Sequence, residues 1–250
     1  MRARWRTVIS SLSASVALLV LTAQVRGGPP FVTDDPEPVD YKHWEFYVAG
    51  TFSQEDEGSS AVVPMFEVNY GVLPDLQLHL VAPFALDAPS GGDTHFGYGD
   101  TEVGAKYRFI QETDRVPQVA VFPLVEIPTG DESRGLGNGK PQYFFPIWLQ
   151  KSWDKWTTYG GGGWWLNPGE DNKDFWRAGW LLQRDISEAI TLGGEIFYQS
   201  ADTIDGGEEI AFNLGGIWNL SEQAHILFSA GRDMRGPNRF ACYVGFQLTP

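Results

Sequence analysis

The sequence predicts an all-β fold: a transmembrane, antiparallel, up-and-down β-barrel of about 12 strands. Three observations predict it. Apolar and polar residues alternate with period two in segment after segment, the connections between segments alternate in length, and aromatic residues gather beside both kinds of connection.

The N-terminus comes first because it sets the compartment. Residues 1–28 read as a signal peptide: Arg2, Arg4 and Arg6 form a positive start, and an apolar run extends from Val8 to Leu21. Small residues at Ala23 and Gly27 offer cleavage points. The run is too short to span a bilayer, which takes about 20 residues. No Cys follows it, which argues against a lipoprotein anchor. Without residues 1–28 the chain holds 14 basic and 32 acidic residues, a net charge of −18. So acidic a protein is not expected to bind nucleic acid, whose phosphates need a basic surface. Cys242 is the single cysteine, so no internal disulfide is available.

Past residue 28 no apolar run is long enough for a membrane helix. The recurrent signal is alternation, the mark of a strand with two different faces. Ile190, Leu192, Ile196 and Tyr198 alternate with Thr191, Gly193, Glu195 and Phe197. The pattern recurs in Ile210, Phe212, Leu214 and Trp218, and again in Phe240, Cys242, Val244, Phe246 and Leu248. Twelve such segments lie near 43–53, 61–70, 75–86, 97–111, 116–127, 141–153, 156–166, 174–184, 188–200, 208–219, 224–232 and 239–249. A strand of roughly ten residues, tilted by about 40°, covers the ~25 Å apolar band of an outer membrane.

The connections 71–74, 112–115, 154–155, 185–187 and 220–223 are short, whereas 54–60, 87–96, 128–140, 167–173, 201–207 and 233–238 are longer and richer in Gly, Asp and Glu. Bacterial barrels sort their connections this way, with short turns at the periplasmic end and long loops outside. Tyr70, Trp153, Trp156 and Trp218 flank short turns, and Trp164, Trp165, Trp176 and Tyr198 flank long loops. Two girdles at headgroup level are the expected reading. Pro64, Pro123 and Pro146 fall within proposed strands and imply bulges or register breaks.

If the apolar set meets lipid, the opposite set lines the lumen: Glu45, Glu67, Gln77, His79, Glu102, Lys106, Arg108, Glu126, Arg177, Glu195 and Asn213. Buried charges of both signs must pair or meet water. Such a set builds either a closed internal network or the wall of a permeation path, and twelve strands lie between the filled and the open sizes of barrel. Residues 29–42, polar, proline-rich and periplasmic, are expected to fold into the lumen as a partial plug, with the barrel at 43–250.

Other chemistry finds little support. Gly135 to Pro141 lacks the spacing and the Ser or Thr of a phosphate loop. His43, His79, His95 and His225 have no metal-ligand spacing, so neither metal nor cofactor is expected. The protein is expected not to be an enzyme. A lipid-modifying enzyme would need His79 to meet a Ser and an Asn from other strands. The acidic loops, including Glu55 to Glu57 and Glu170–Asp171, offer an alternative role as a closed surface-interaction barrel, or bridges through divalent cations to lipopolysaccharide. Expected partners are outer-membrane lipids, lipopolysaccharide and a small solute.

Several segments together resemble one family. They are Gly28-Pro-Pro-Phe-Val-Thr-Asp-Asp-Pro-Glu-Pro38 with His43-Trp-Glu-Phe46, and Gly99-Asp-Thr-Glu-Val-Gly-Ala-Lys-Tyr-Arg-Phe109. Pro128-Thr-Gly130 with Gly135-Leu-Gly137 follows, then Trp148-Leu-Gln-Lys-Ser-Trp153 with Gly160 to Gly163. They resemble the outer-membrane barrel family labelled "putative MetA pathway of phenol degradation". The resemblance implies a transporter-like barrel in the bacterial outer membrane that passes small aromatic or hydrophobic solutes passively. It carries no binding residues with it.

Overall fold

The computed structural model describes residues 29–250; the proposed signal peptide lies outside the described residues. Fourteen strand segments follow one another: β1 (Trp44–Glu55), β2 (Gly58–Leu73), β3 (Leu76–Pro89), β4 (His95–Tyr98), β5 (Thr101–Ile110), β6 (Gln118–Val121), β7 (Leu124–Ile127), β8 (Gln142–Trp153), β9 (Trp156–Leu166), β10 (Phe175–Asp185), β11 (Ile190–Gln199), β12 (Glu209–Asn219), β13 (Ala224–Arg235) and β14 (Asn238–Leu248). β4 and β5 both pair with β3 and form two halves of one wall strand, broken at Gly99–Asp100. β6 and β7 likewise both pair with β5 and β8, with a break at Phe122–Pro123. The wall therefore has the twelve antiparallel strands that the alternation predicts.

Pairing of β1 with β14, from Phe46↔Leu248 to Glu55↔Asn238, closes the ring. Closure gives every wall strand a partner on both sides and leaves no edge strand, as a hydrocarbon environment requires. Along β1, Glu45, Tyr47 and Ala49 are buried while Trp44, Phe46 and Val48 are exposed. The same holds in β14, where Tyr243 is buried and Phe240, Val244 and Phe246 are exposed. The molecule is thus apolar on its outer surface, the inverse of a soluble sheet.

Three expectations need correction. First, 54–60 and 233–238 are not long loops: β1 and β2 pair to their tips at Glu55↔Gly58, while β13 and β14, whose mutual register ends at Gly231↔Ala241, are carried further by pairing with β12 and β1, leaving only 56–57 and 236–237 outside the strands. Polar residues that look like loop in sequence continue the ladder, because a sheet does not stop pairing where it meets water. At the other end, 111–117 is longer than a tight turn. Second, Pro146 breaks nothing. It stays in register with Gly163, and the strand on its other side is interrupted at Phe122–Pro123, so no ladder donor is demanded of it. Pro64 and Pro123 do coincide with a register shift between Val62 and Met65 and with the β6–β7 break. Third, Trp165 does not join an outer girdle. Adjacent residues of a strand face opposite ways, so when Trp164 pairs outward with Trp176, Trp165 turns into the lumen, where it is 4% exposed.

The glycine run Gly160 to Gly163 serves the wall. A Cβ on Gly160 would lie 2.4 Å from the ring of Trp180, which crosses it and donates from Nε1 to Thr158 Oγ1 at 2.9 Å. Cys242 is a free thiol.

Candidate functional site: the barrel interior

All eleven residues proposed for the lumen stand on the inward parity of their strands. Glu45, Glu67, Gln77, His79, Lys106, Glu195 and Asn213 are buried, and Glu102, Arg108, Glu126 and Arg177 are half-buried. They form separate groups. Around His79, Nδ1 meets Asn69 Oδ1 at 2.7 Å, Nε2 meets Glu102 Oε1 at 2.7 Å, and Asn69 donates to Glu67 at 2.8 Å. No hydroxyl is bonded to His79 among the described residues; its neighbours are carboxylates and an amide. Glu45 accepts from Tyr47 OH at 3.0 Å, and Tyr47 in turn accepts from Gln247. Glu126 faces Glu102 in the ladder.

Four of the eleven hold residues 29–42. Glu195 accepts the backbone N–H of Val32 at 2.9 Å and of Thr33 at 2.8 Å, and also an amide hydrogen of Asn213 at 2.7 Å. One carboxylate therefore takes three donors, a strong arrangement for a charged acceptor. Gln77 Oε1 accepts from Val39 N at 2.9 Å. Lys106 Nζ donates to Asp34 Oδ1 at 3.0 Å and lies 3.7 Å from Asp35 Oδ2. Arg108 lies 3.8 Å from Glu37 and is anchored to Asp75 at 2.7 Å.

The rest of the segment fits around these contacts. Ser229 Oγ donates to Pro30 O at 2.5 Å, Phe31 packs on Tyr159 and Leu181, and Lys42 N donates to Gly71 O at 2.7 Å. Thr33 rests on Gly179, whose missing Cβ makes the room: one placed there would sit 2.1 Å from Thr33 Oγ1. Thr33, Asp35 and Pro36 are among the most deeply buried side chains described. Burial pushes the Asp35 carboxyl well above the ordinary carboxylate range, and Lys106 opposes that shift.

A second feature escaped the polar reading of the lumen. Phe122, Leu124, Phe144, Trp148, Trp165 and Phe175 form a buried cluster on one wall. Phe144, Trp165 and Phe175 are cross-strand neighbours. Their rings stack at centroid separations of 4.7 and 5.7 Å, with interplanar angles of 9° and 12°. Arg177 lies over Trp165 and Phe175 at 5.6 and 5.8 Å, and donates from Nε and Nη2 to Gln199 Oε1. Parity contained this signal: Phe144, Trp148, Trp165 and Phe175 share the phase of the polar inward set, but an aromatic residue in a membrane barrel reads first as lipid-facing.

Among solved structures, the COG4313 outer membrane channel from Pseudomonas putida F1 is similar, with 16% identity, a TM-score of 0.74 and coverage of 86% of this chain and 98% of that one. The KdgM porin is similar at 12% identity and a TM-score of 0.57, covering 82% and 98% of the two chains. The NanC porin follows at 9% and 0.58, covering 81% and 98%. At such identities the likeness shows the fold alone, that of an outer-membrane channel. No curated protein matches. A family model described as "Putative MetA-pathway of phenol degradation" matches residues 43–246, nearly the whole barrel, and the chain belongs to that family.

Proposed function

We propose that the protein is an outer-membrane channel passing small aromatic or hydrophobic solutes without an energy source, and that residues 29–42 set its closed state. The observation that carries this reading is how the segment is held. It runs through the lumen on side-chain acceptors and ion pairs rather than in the wall ladder, apart from a single bridge at Tyr41↔Gly71. A segment held in this way can leave without opening the barrel. An aromatic wall beside it suits apolar rings better than sugars or ions, whose hydration it does not replace.

The test is uptake into liposomes carrying the refolded protein, with phenol-like solutes compared to sugars of similar size and passive lipid diffusion subtracted. Protein-dependent uptake ranked toward aromatics is expected. Absence of uptake by a correctly inserted barrel, with and without residues 29–42, would overturn the channel reading and direct attention to the acidic loops.

A further inference from the structure

We propose that the outer half of the lumen holds a binding site for an uncharged aromatic ligand bearing a hydrogen-bond-accepting oxygen, built by Phe144, Trp148, Trp165, Phe175 and Arg177. The proposal deepens the channel reading by naming the class of solute, and relies on that reading only for how the ligand arrives.

Position comes first. Trp165 and Phe175 flank the connection 167–174, and Phe144 stands just inside β8 after the connection 128–141. Phe144, Trp165 and Phe175 therefore belong to the end with the long loops, and Trp148 extends the group toward the middle of β8. Residues 29–42 are bound to Gln77, Lys106, Arg108 and Glu195 and approach this group along β10, where Thr33 rests on Gly179, two residues from Arg177, but none of their described hydrogen bonds reaches it. The site and the segment are neighbours in the same lumen, and Lys106, which holds Asp34, lies 5.0 Å over the ring of Phe122 in the same aromatic cluster.

The ligand's chemistry follows from what the group leaves unmet. Trp148 Nε1 and Trp165 Nε1 are buried donors without a hydrogen-bond partner. A buried polar group without a partner costs about 1–3 kcal/mol, so two in one cluster call for an explanation. Arg177 spends Nε and Nη2 on the neutral Gln199 and makes no ion pair among the described residues. These groups are all donors, so the complement is an acceptor. The stacked Phe144, Trp165 and Phe175 rings favour an aromatic body, which can also lie against the planar guanidinium.

Charge decides the rest. Glu126, Glu209, Asp202 and Glu102 all lie within electrostatic reach of Arg177. An anion would meet four carboxylates for one guanidinium. An ammonium would suit the carboxylates but offers no acceptor to the indoles. An uncharged ring with a carbonyl, hydroxyl or ether oxygen satisfies both conditions.

Isothermal titration of the full refolded protein tests this, with heats from protein-free micelles subtracted. The probes are acetophenone, benzoate, benzylammonium and cyclohexyl methyl ketone. Acetophenone is expected to bind saturably, with the other three at least about tenfold weaker, the equivalent of 1.4 kcal/mol. Trp148→Phe and Trp165→Phe keep a ring and remove a donor; each should weaken acetophenone roughly fivefold, as for one hydrogen bond. Retention of the heat-resistant, fast-migrating barrel on gels verifies that both variants fold. Tighter binding of benzoate or benzylammonium, equal binding of the cyclohexyl ketone, or indifference to both substitutions would overturn the site. Its failure is separable from that of the channel. Liposome uptake that survives without binding leaves the channel reading intact, and saturable binding without uptake removes the channel reading while supporting the site.

Discussion

At the scale of single residues, Lys106 and Glu195 are the two wall groups on which the inner segment depends most. Lys106→Met would leave Asp34 without its cation, and removing one partner of a buried ion pair typically costs about 3–5 kcal/mol. The cost falls on docking of residues 29–42, so limited proteolysis should cut the segment faster while the barrel survives. Glu195→Ala strands the Val32 and Thr33 N–H groups, at roughly 1–3 kcal/mol each, and Glu195→Gln should lose less because an acceptor remains. Asp35 adds a pH dependence. Its carboxyl is raised by burial, so the docked form holds a proton that the free form gives up at ordinary carboxylate pH. Docking is therefore strongest in acid and weakens as pH rises through the raised value. Single-channel conductance should increase with pH over that range, and Asp35→Asn should flatten the dependence.

At the scale of the element, glycines decide where the segment passes the wall. A Cβ on Gly179 would stand 2.1 Å from Thr33 Oγ1, and one on Gly71 would stand 2.0 Å from Asp40 O. Gly179→Ala should displace the segment and leave β9, β10 and β11 paired, because Gly179 pairs with Gly161 and Phe197 through backbone alone. Conductance should rise while the barrel's resistance to heat in detergent changes little. Gly160→Val is the contrasting case. Its side chain would strike Trp180 on the outer surface, an overpacking that costs about 1–3 kcal/mol, so it should lower barrel stability without touching the segment. The prolines belong to this scale too: Pro123 and Pro146 sit side by side, and the break after Phe122 removes any call for the donor that Pro146 lacks.

At the scale of the whole molecule, wall and inner segment are separable. The closing ladder between β1 and β14 begins at Phe46, beyond the segment. Deletion of 29–42 should therefore yield a closed, inserted barrel with raised conductance. Unchanged conductance in that variant would show that the segment does not obstruct the path.

The number of strands and the outward side of each are legible in the sequence, because a period of two is written locally in every segment. Parity alone also places eleven polar residues, Glu45 through Asn213, on the inward face, though Asn69, Gln118, Gln150 and Ser229 stand there as well. What the sequence could not contain is which of those groups meet. Glu195 reaches Val32 across 163 positions, and Ser229 reaches Pro30 across 199, so no window of sequence spans either contact. The same holds for Trp165. Composition places a tryptophan beside a loop at the headgroup girdle, and only the pairing of Phe144, Trp165 and Phe175 across three strands turns it inward. Alternation is a property of one strand, whereas register, closure and the filling of the lumen are properties of the ring, and those the tertiary structure decided.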